Sequence, residues 1–234
     1  MISLRSLFSF TLAALVGSTV AAAATPAAAR GGIDASPSLK TPATASAPLG
    51  PDGFLSRWLL LEPIAGDGRV GDGAVQAAAK KDYFPDQFSV LPRAGDQVTV
   101  NGAPYAWHAV DSSRHNVNLY HFAYFLGKPT ANVVFWGVTV VESPAEISGV
   151  RLAVGSNAGS VWWVNGQEVV SLYGDRQTSI DDGVSRKLTL KAGANIVRFL
   201  VVQNGGMVDC CARFLDGNGQ PLTRFNQSLP VHSP

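Results

Sequence analysis

Apolar and polar positions alternate with a period of two in three stretches of the C-terminal half. Val150, Leu152 and Val154 alternate with Arg151 and Ala153, and Leu188 and Leu190 with Lys187 and Thr189. Val208, Cys210, Ala212 and Phe214 alternate with Asp209, Cys211 and Arg213. Residues two apart share one face of a strand, so each stretch predicts a strand with one face in a core and one in water. Val133 to Val141 is apolar on both faces. Leu119 to Leu126 is nearly so, with Tyr120, Phe122 and Tyr124 on one side and Leu119, His121, Ala123 and Phe125 on the other. Both read as central strands covered on each side. A helical period appears only around Asp72 to Asp82, where Val75, Ala78, Ala79 and Asp82 follow at three- and four-residue steps. Asp72 can cap its first turn and Pro85 stops the run.

Turn signals are frequent. Asn165-Gly166 between two apolar runs predicts a type I′ hairpin, and Asn101-Gly102, Asp182-Gly183, Ala192-Gly193, Gly205-Gly206 and Asp216-Gly217 mark further turns. Many short strands with closely spaced turns imply an all-β antiparallel β-sandwich or jelly roll with one short helix, rather than βαβ units.

The ends have a different texture. Arg5, an apolar run from Leu7 to Val16 and the small residues Val20 to Ala24 have the layout of a secretory signal peptide over residues 1–24. The run is shorter than the roughly 20 apolar residues of a membrane span, so export to the periplasm or the medium is expected, with no membrane span. Residues 25–52 are dominated by Ala, Thr, Pro, Ser and Gly and read as a disordered linker. The sandwich is then expected over 53–227, with a tail at 228–234. Without Arg5 the 18 basic residues fall to 17, equal to the 17 acidic ones. A neutral chain lacks the basic excess that phosphate backbones demand, so nucleic acid is not an expected partner.

The run Val161-Trp162-Trp163-Val164-Asn165-Gly166-Gln167-Glu168-Val169, then Leu188 to Asn195, then Ala212-Arg213-Phe214-Leu215-Asp216, resembles the C-terminal half of galactose-binding-like jelly-roll domains. Arg57-Trp58-Leu59-Leu60-Leu61-Glu62-Pro63-Ile64 is similar to their first strand. Ala74 to Lys81, Asn118 to Ala123 and Asp175 to Thr178 resemble short secreted bacterial proteins labelled acetylxylan esterase. The resemblance implies a noncatalytic module that binds a polysaccharide or oligosaccharide, or assists carbohydrate-active enzymes. One alternative is a polysaccharide acyl esterase, and another is an envelope structural or interaction protein.

An esterase needs a nucleophile, a base and an oxyanion hole. The chain has no G-x-S-x-G elbow; Gly155-Ser156-Asn157-Ala158-Gly159 carries its serine one place too early. His108, Asp111, Ser112 and His115, with His121 nearby, form the most suggestive polar cluster, which could supply a base and a nucleophile, and the segment reads as a turn-rich loop between strands. The three histidines match no standard zinc spacing. No cofactor is expected, the alternative being a structural calcium in the loop of Asp175, Asp181 and Asp182. Cys210 and Cys211 are adjacent, and a Cα separation of about 3.8 Å lies below the usual disulfide range. They read as free thiols, Cys210 inward and Cys211 outward. Trp162 and Trp163 must likewise face opposite ways, and the resemblance to galactose-binding-like domains implies Trp162 and Val164 inward and Trp163 on the outer face. A large ring on an outer face needs a cover or a ligand, and Trp163 is an expected ligand contact together with Tyr173 and Arg176.

Overall fold

The computed structural model describes residues 30–66, 68–69 and 71–230. The expected leader, residues 1–24, lies outside the described residues. Eight principal strands, β1 (Arg57–Leu61), β2 (Ala103–Ser112), β3 (Val133–Ser143), β4 (Ile147–Ser156), β5 (Gly159–Val164), β6 (Gln167–Leu172), β7 (Gly193–Gln203) and β8 (Asp209–Leu215), make two antiparallel sheets. The larger runs β2-β1-β3-β7-β5-β6, and the smaller is built on β4 and β8. Central strand β3 pairs with β7 along its whole length, as a segment apolar on both faces requires.

Alternation along these strands sends side chains to two cores. Trp58, Leu60, Phe135, Trp162 and Phe199 of the larger sheet meet Leu152, Val154, Cys210 and Phe214 of the smaller in the inner core. Trp58 packs edge-on against Phe199 at 4.9 Å and Trp162 at 6.1 Å. The one polar atom of Trp162, Nε1, donates to Ser160 Oγ at 2.9 Å, and the Ser160 and Ser156 hydroxyls bond each other at 2.8 Å. The opposite residues, Leu59, Leu61, Trp136, Val138, Trp163 and Leu200, form a second core on the outer face of the larger sheet. Helix α1 (Asp72–Lys80) and the turn-rich segment after it cover that face. At Gly159 the helix approaches so closely that a Cβ would collide with Val75, which is why a glycine opens β5.

The predicted hairpin is present, with φ of 51° at Asn165 and 81° at Gly166. Asn165 also ties the turn to β7: its Oδ1 accepts from Ile196 N and its Nδ2 donates to Asn195 Oδ1, both at 2.9 Å. Trp162 pairs with Val170 but Trp163 with Glu168, so β6 carries a bulge at Val169.

Several expectations are corrected. Leu119 to Leu126 is not a strand: Leu119–Phe125 is a second helix, α2. Asn118 Oδ1 caps it by accepting from His121 N at 2.7 Å, and the apolar stripe Leu119, Phe122, Ala123 has helical spacing. Asp72 is the first residue of α1 rather than its cap, since the capping position is Gly71. Residues 30–52 are not a loose linker. Ile33, Leu39 and Leu49 are buried in the inner core, Leu39–Lys40 pairs with β2, and Ser46–Pro48 pairs with Asn226–Ser228. Backbone pairing along sheet edges, and three apolar anchors, order a segment whose composition alone offers little to bury. At the other end Leu229 is 3% exposed, so the sandwich extends past 227. Cys210 and Cys211 are both free and both buried. Cys211 faces away from the inner core but is covered, its Sγ and the Ser179 carbonyl both crowding Gly155. Burial, with Asp209 and Asp181 nearby, pushes its thiol up to about 11.

Candidate ligand-binding site

The outer face of the larger sheet carries an aromatic ladder. Trp136 on β3 and Trp163 on β5 lie either side of β7, opposite Leu200 and Arg198 respectively. Their rings meet over β7, stacked at 5.7 Å with planes 13° apart. Phe88 packs at 5.3 Å from Trp163 and 5.7 Å from Trp136, and Phe84 bridges Trp136 and Trp107 at 5.8 and 6.1 Å. The sequence rule that Trp163 opposes Trp162 holds, yet Trp163 is only 5% exposed. A ring on an outer face needs a cover, and here α1 and the segment behind it supply one.

A cleft of about 500 Å³ opens where α1 meets the β5–β6 hairpin. Trp163, Phe88 and Tyr173 give it aromatic walls, and Gln76, Lys80 and Glu168 give it polar ones. Gln76 and Lys80 reach it because they are one helical turn apart on α1. Glu168 reaches it because it is the cross-strand partner of Trp163. Ser171 Oγ donates to Glu168 Oε1 at 2.6 Å. A cleft with aromatic walls and one amide, one ammonium and one carboxylate matches a ring that is apolar on its faces and hydroxylated at its edge.

Of the expected contacts, Trp163 and Tyr173 line this cleft and Arg176 does not. Arg176 instead braces the wall, donating Nη2 to the Tyr173 carbonyl at 2.6 Å and Nη1 to Asp182 Oδ2 at 2.7 Å. Phe88, Gln76, Lys80 and Glu168 were not singled out from the sequence. Only Glu168 had a legible signal, since a two-residue Asn-Gly turn puts it opposite Trp163.

The cluster suggested for acyl transfer is dispersed. His108 to Ser112 belongs to β2, not to a loop, and alternation puts Asp111 on the opposite face from His108 and Ser112. His108 Nε2 lies 3.3 Å from Glu62 Oε1, whose other oxygen pairs with Lys128 Nζ at 2.9 Å. Asp111 takes both ends of the Arg57 fork at 2.7 and 2.8 Å. Ser112 Oγ donates to the Asn116 carbonyl at 2.6 Å, and exposed His115 packs against Phe54 at 5.5 Å. Ser112 and His115 share a smaller hollow of about 250 Å³, but the Ser112 hydroxyl is given to the Asn116 carbonyl rather than to a base. His121 is held by Ser38, Nδ1 to Oγ at 3.2 Å. The aspartates considered for calcium are separated as well: Asp181 pairs with Arg213, Asp182 with Arg176, and Asp175 is exposed. Among the described residues no group of three or more His, Cys, Asp or Glu is placed to hold a metal ion, and no helix is long and apolar enough to cross a membrane.

No family model matches the chain, and no curated protein does. Among solved structures it is similar to a PA14 sugar-binding domain from an RTX adhesin, with 14% identity, TM-score 0.43, and coverage of 75% of this chain and 99% of that one. It is also similar to the PA14 domain of the antifreeze protein MpAFP, with 12% identity, TM-score 0.41, and coverage of 79% and 95%. An anti-sigma factor domain-containing protein from Clostridium clariflavum matches at 8% identity and TM-score 0.41, over 75% of this chain and 47% of that one. At these scores no residue and no ligand transfers to this chain.

Proposed function

We propose that this protein is an exported, noncatalytic carbohydrate-binding module of the galactose-binding-like kind, serving polysaccharides directly or alongside carbohydrate-active enzymes. One observation carries the reading: the cleft of Trp163, Phe88 and Tyr173 with Gln76, Lys80 and Glu168. Sugar rings stack their C–H faces on aromatic side chains while side-chain amides and carboxylates take the hydroxyls. The dispersal of His108, Asp111, Ser112 and His115 weighs against the esterase alternative.

The test is a glycan array followed by calorimetric titration of the best ligand, with acetyl release from acetylated xylan measured on the same preparation. Binding without acetyl release is the expected result. Tyr173→Ala, at a half-buried wall position, should weaken the best ligand about tenfold, roughly the 1.4 kcal/mol of a lost stacking contact, while lowering the melting temperature less than Trp163→Ala does, since Tyr173 packs on the outer core only in part. Retention of no glycan, or an affinity indifferent to both Tyr173→Ala and Glu168→Gln, refutes the assignment.

A further inference from the structure

Three buried hydrogen-bond donors on the outer face of the larger sheet have no acceptor: Trp107 Nε1, Trp136 Nε1 and Arg198 Nε. The large majority of buried side-chain polar atoms in native proteins are paired, so three orphan N–H donors on one face ask for a partner that brings acceptors. Arg198 is the most exacting of them. It is 2% exposed, and its Nη2 donates to the Val90 carbonyl. Among the described residues no carboxylate lies within 4.0 Å of it. Desolvation lowers its pKa to about 10, which leaves it charged at neutral pH. A buried cation without a counter-charge is costly.

The cover over these groups is bonded mainly to itself. Gln87 accepts from Tyr83 N at 2.9 Å and donates to the Lys81 carbonyl at 2.8 Å, while the Asp86 carbonyl accepts from Ser89 and Val90. Among the described residues the polar tie from 84–93 to the sheet is Arg198 on Val90. The segment's apolar anchor is at one end, where Phe84, 5% exposed, packs on Trp136 and Trp107. Phe88 and Leu91 on it are 37% and 38% exposed. Phe88 belongs to both the cleft and the aromatic ladder, so displacing it lengthens the cleft over Trp163 and Trp136.

We propose that the 84–93 segment is a displaceable cover and that the cleft's ligand is an acidic oligosaccharide, whose uronate carboxylate pairs with Arg198 while adjoining rings lie over Trp163 and Trp136. This rests on the glycan-binding reading and names its ligand class. A carboxylate supplies the charge and the planar pair of acceptors that a guanidinium fork takes up, and ring hydroxyls supply acceptors for the indole N–H groups. A neutral sugar supplies only the second.

Calorimetric titration of the full chain with trigalacturonic acid, its methyl ester and xylotriose tests this. The acid should bind about tenfold more tightly than the ester, the worth of one charge-assisted hydrogen bond. Arg198→Gln should bring the acid down to the ester's affinity. Amides of 84–93 should exchange hydrogen faster with the acid bound. If Arg198→Gln fails to fold, the acid-to-ester ratio and the exchange data on the unaltered chain decide. Equal affinity for acid and ester, exchange unchanged or slowed, or no binding of the acid overturns the proposal. Binding of the ester or of xylotriose in those cases leaves the glycan-binding reading standing, whereas retention of no glycan on the array removes both.

Discussion

Truncating Trp163 to alanine tests whether the outer face of the larger sheet is a core. A tryptophan presents at most about 250 Å², and Trp163 leaves 5% of its surface exposed. At about 25 cal/mol per Å² the ceiling is about 6 kcal/mol. Alanine retains part of that burial, and the adjoining cleft lets water into the space left behind. Against this, Trp136 and Phe88 each lose a ring partner, at about 0.5–1.5 kcal/mol per pair. The net expectation is a loss of about 3–4 kcal/mol, within the range for large aromatic truncations. For a domain of this size that lowers Tm by about 6–16 °C.

Trp162→Ala should cost about 4–5 kcal/mol, because it empties a site that is 0% exposed and takes the indole donor from Ser160. Urea unfolding followed by circular dichroism, with thermal melts alongside, measures both variants. Trp163→Phe should recover more than half of the loss, since a phenyl ring can still stack on Trp136. A Trp163→Ala protein within about 1 kcal/mol of the parent would refute the reasoning, because α1 and the 84–93 segment would then be shown not to pack on the ring.

Asn165→Ala should cost about 1–3 kcal/mol by urea midpoint, since it puts alanine at φ 51° and removes the bonds to Asn195 and Ile196. Both thiols should be silent to a thiol reagent at pH 8 in the folded protein and titrate as two in denaturant. Burial raises the Cys211 pKa from 9.0 to about 11, so its contribution to stability is complete below about pH 9 and is lost as pH rises toward 11, as an alkaline stability series would show. Burial alone would raise the Glu62 carboxyl, but hydrogen bonds from Lys128 and His108 outweigh it and the net pKa is lowered from 4.5. That stability is present above pH 4.5 and disappears as pH falls through the lowered value, so Lys128→Gln should move the acid-unfolding midpoint upward.

Strand pattern and hairpin were legible because both are local: period two and an Asn-Gly pair need no knowledge of the rest of the chain. Leu119 to Leu126 misled because an all-apolar run satisfies period 2 and period 3.6 equally, and the deciding residue, the Asn118 cap, lies just outside it. Residues 30–52 misled because composition measures side-chain burial. What orders them is largely the backbone of β2 and of Asn226–Ser228 offering hydrogen bonds to whatever lies alongside.

The candidate site was half legible for a related reason. Alternation assigns Trp163 to the face opposite Trp162, and it does so from five residues of sequence. It cannot say whether that face meets water, a ligand or another part of the chain. The cover comes from Val75, Ala78, Phe84 and Phe88, some 75 to 90 residues earlier, and no local rule links a nine-residue helix to a hairpin so distant. The polar anchor was hidden in turn: Arg198 is the single charge in the run Ile196 to Val202, which is apolar on both faces of β7, and the sequence does not say what covers it. A long-range packing event therefore turns an outward tryptophan into a core ring and an outward arginine into a buried cation whose Nε has no acceptor.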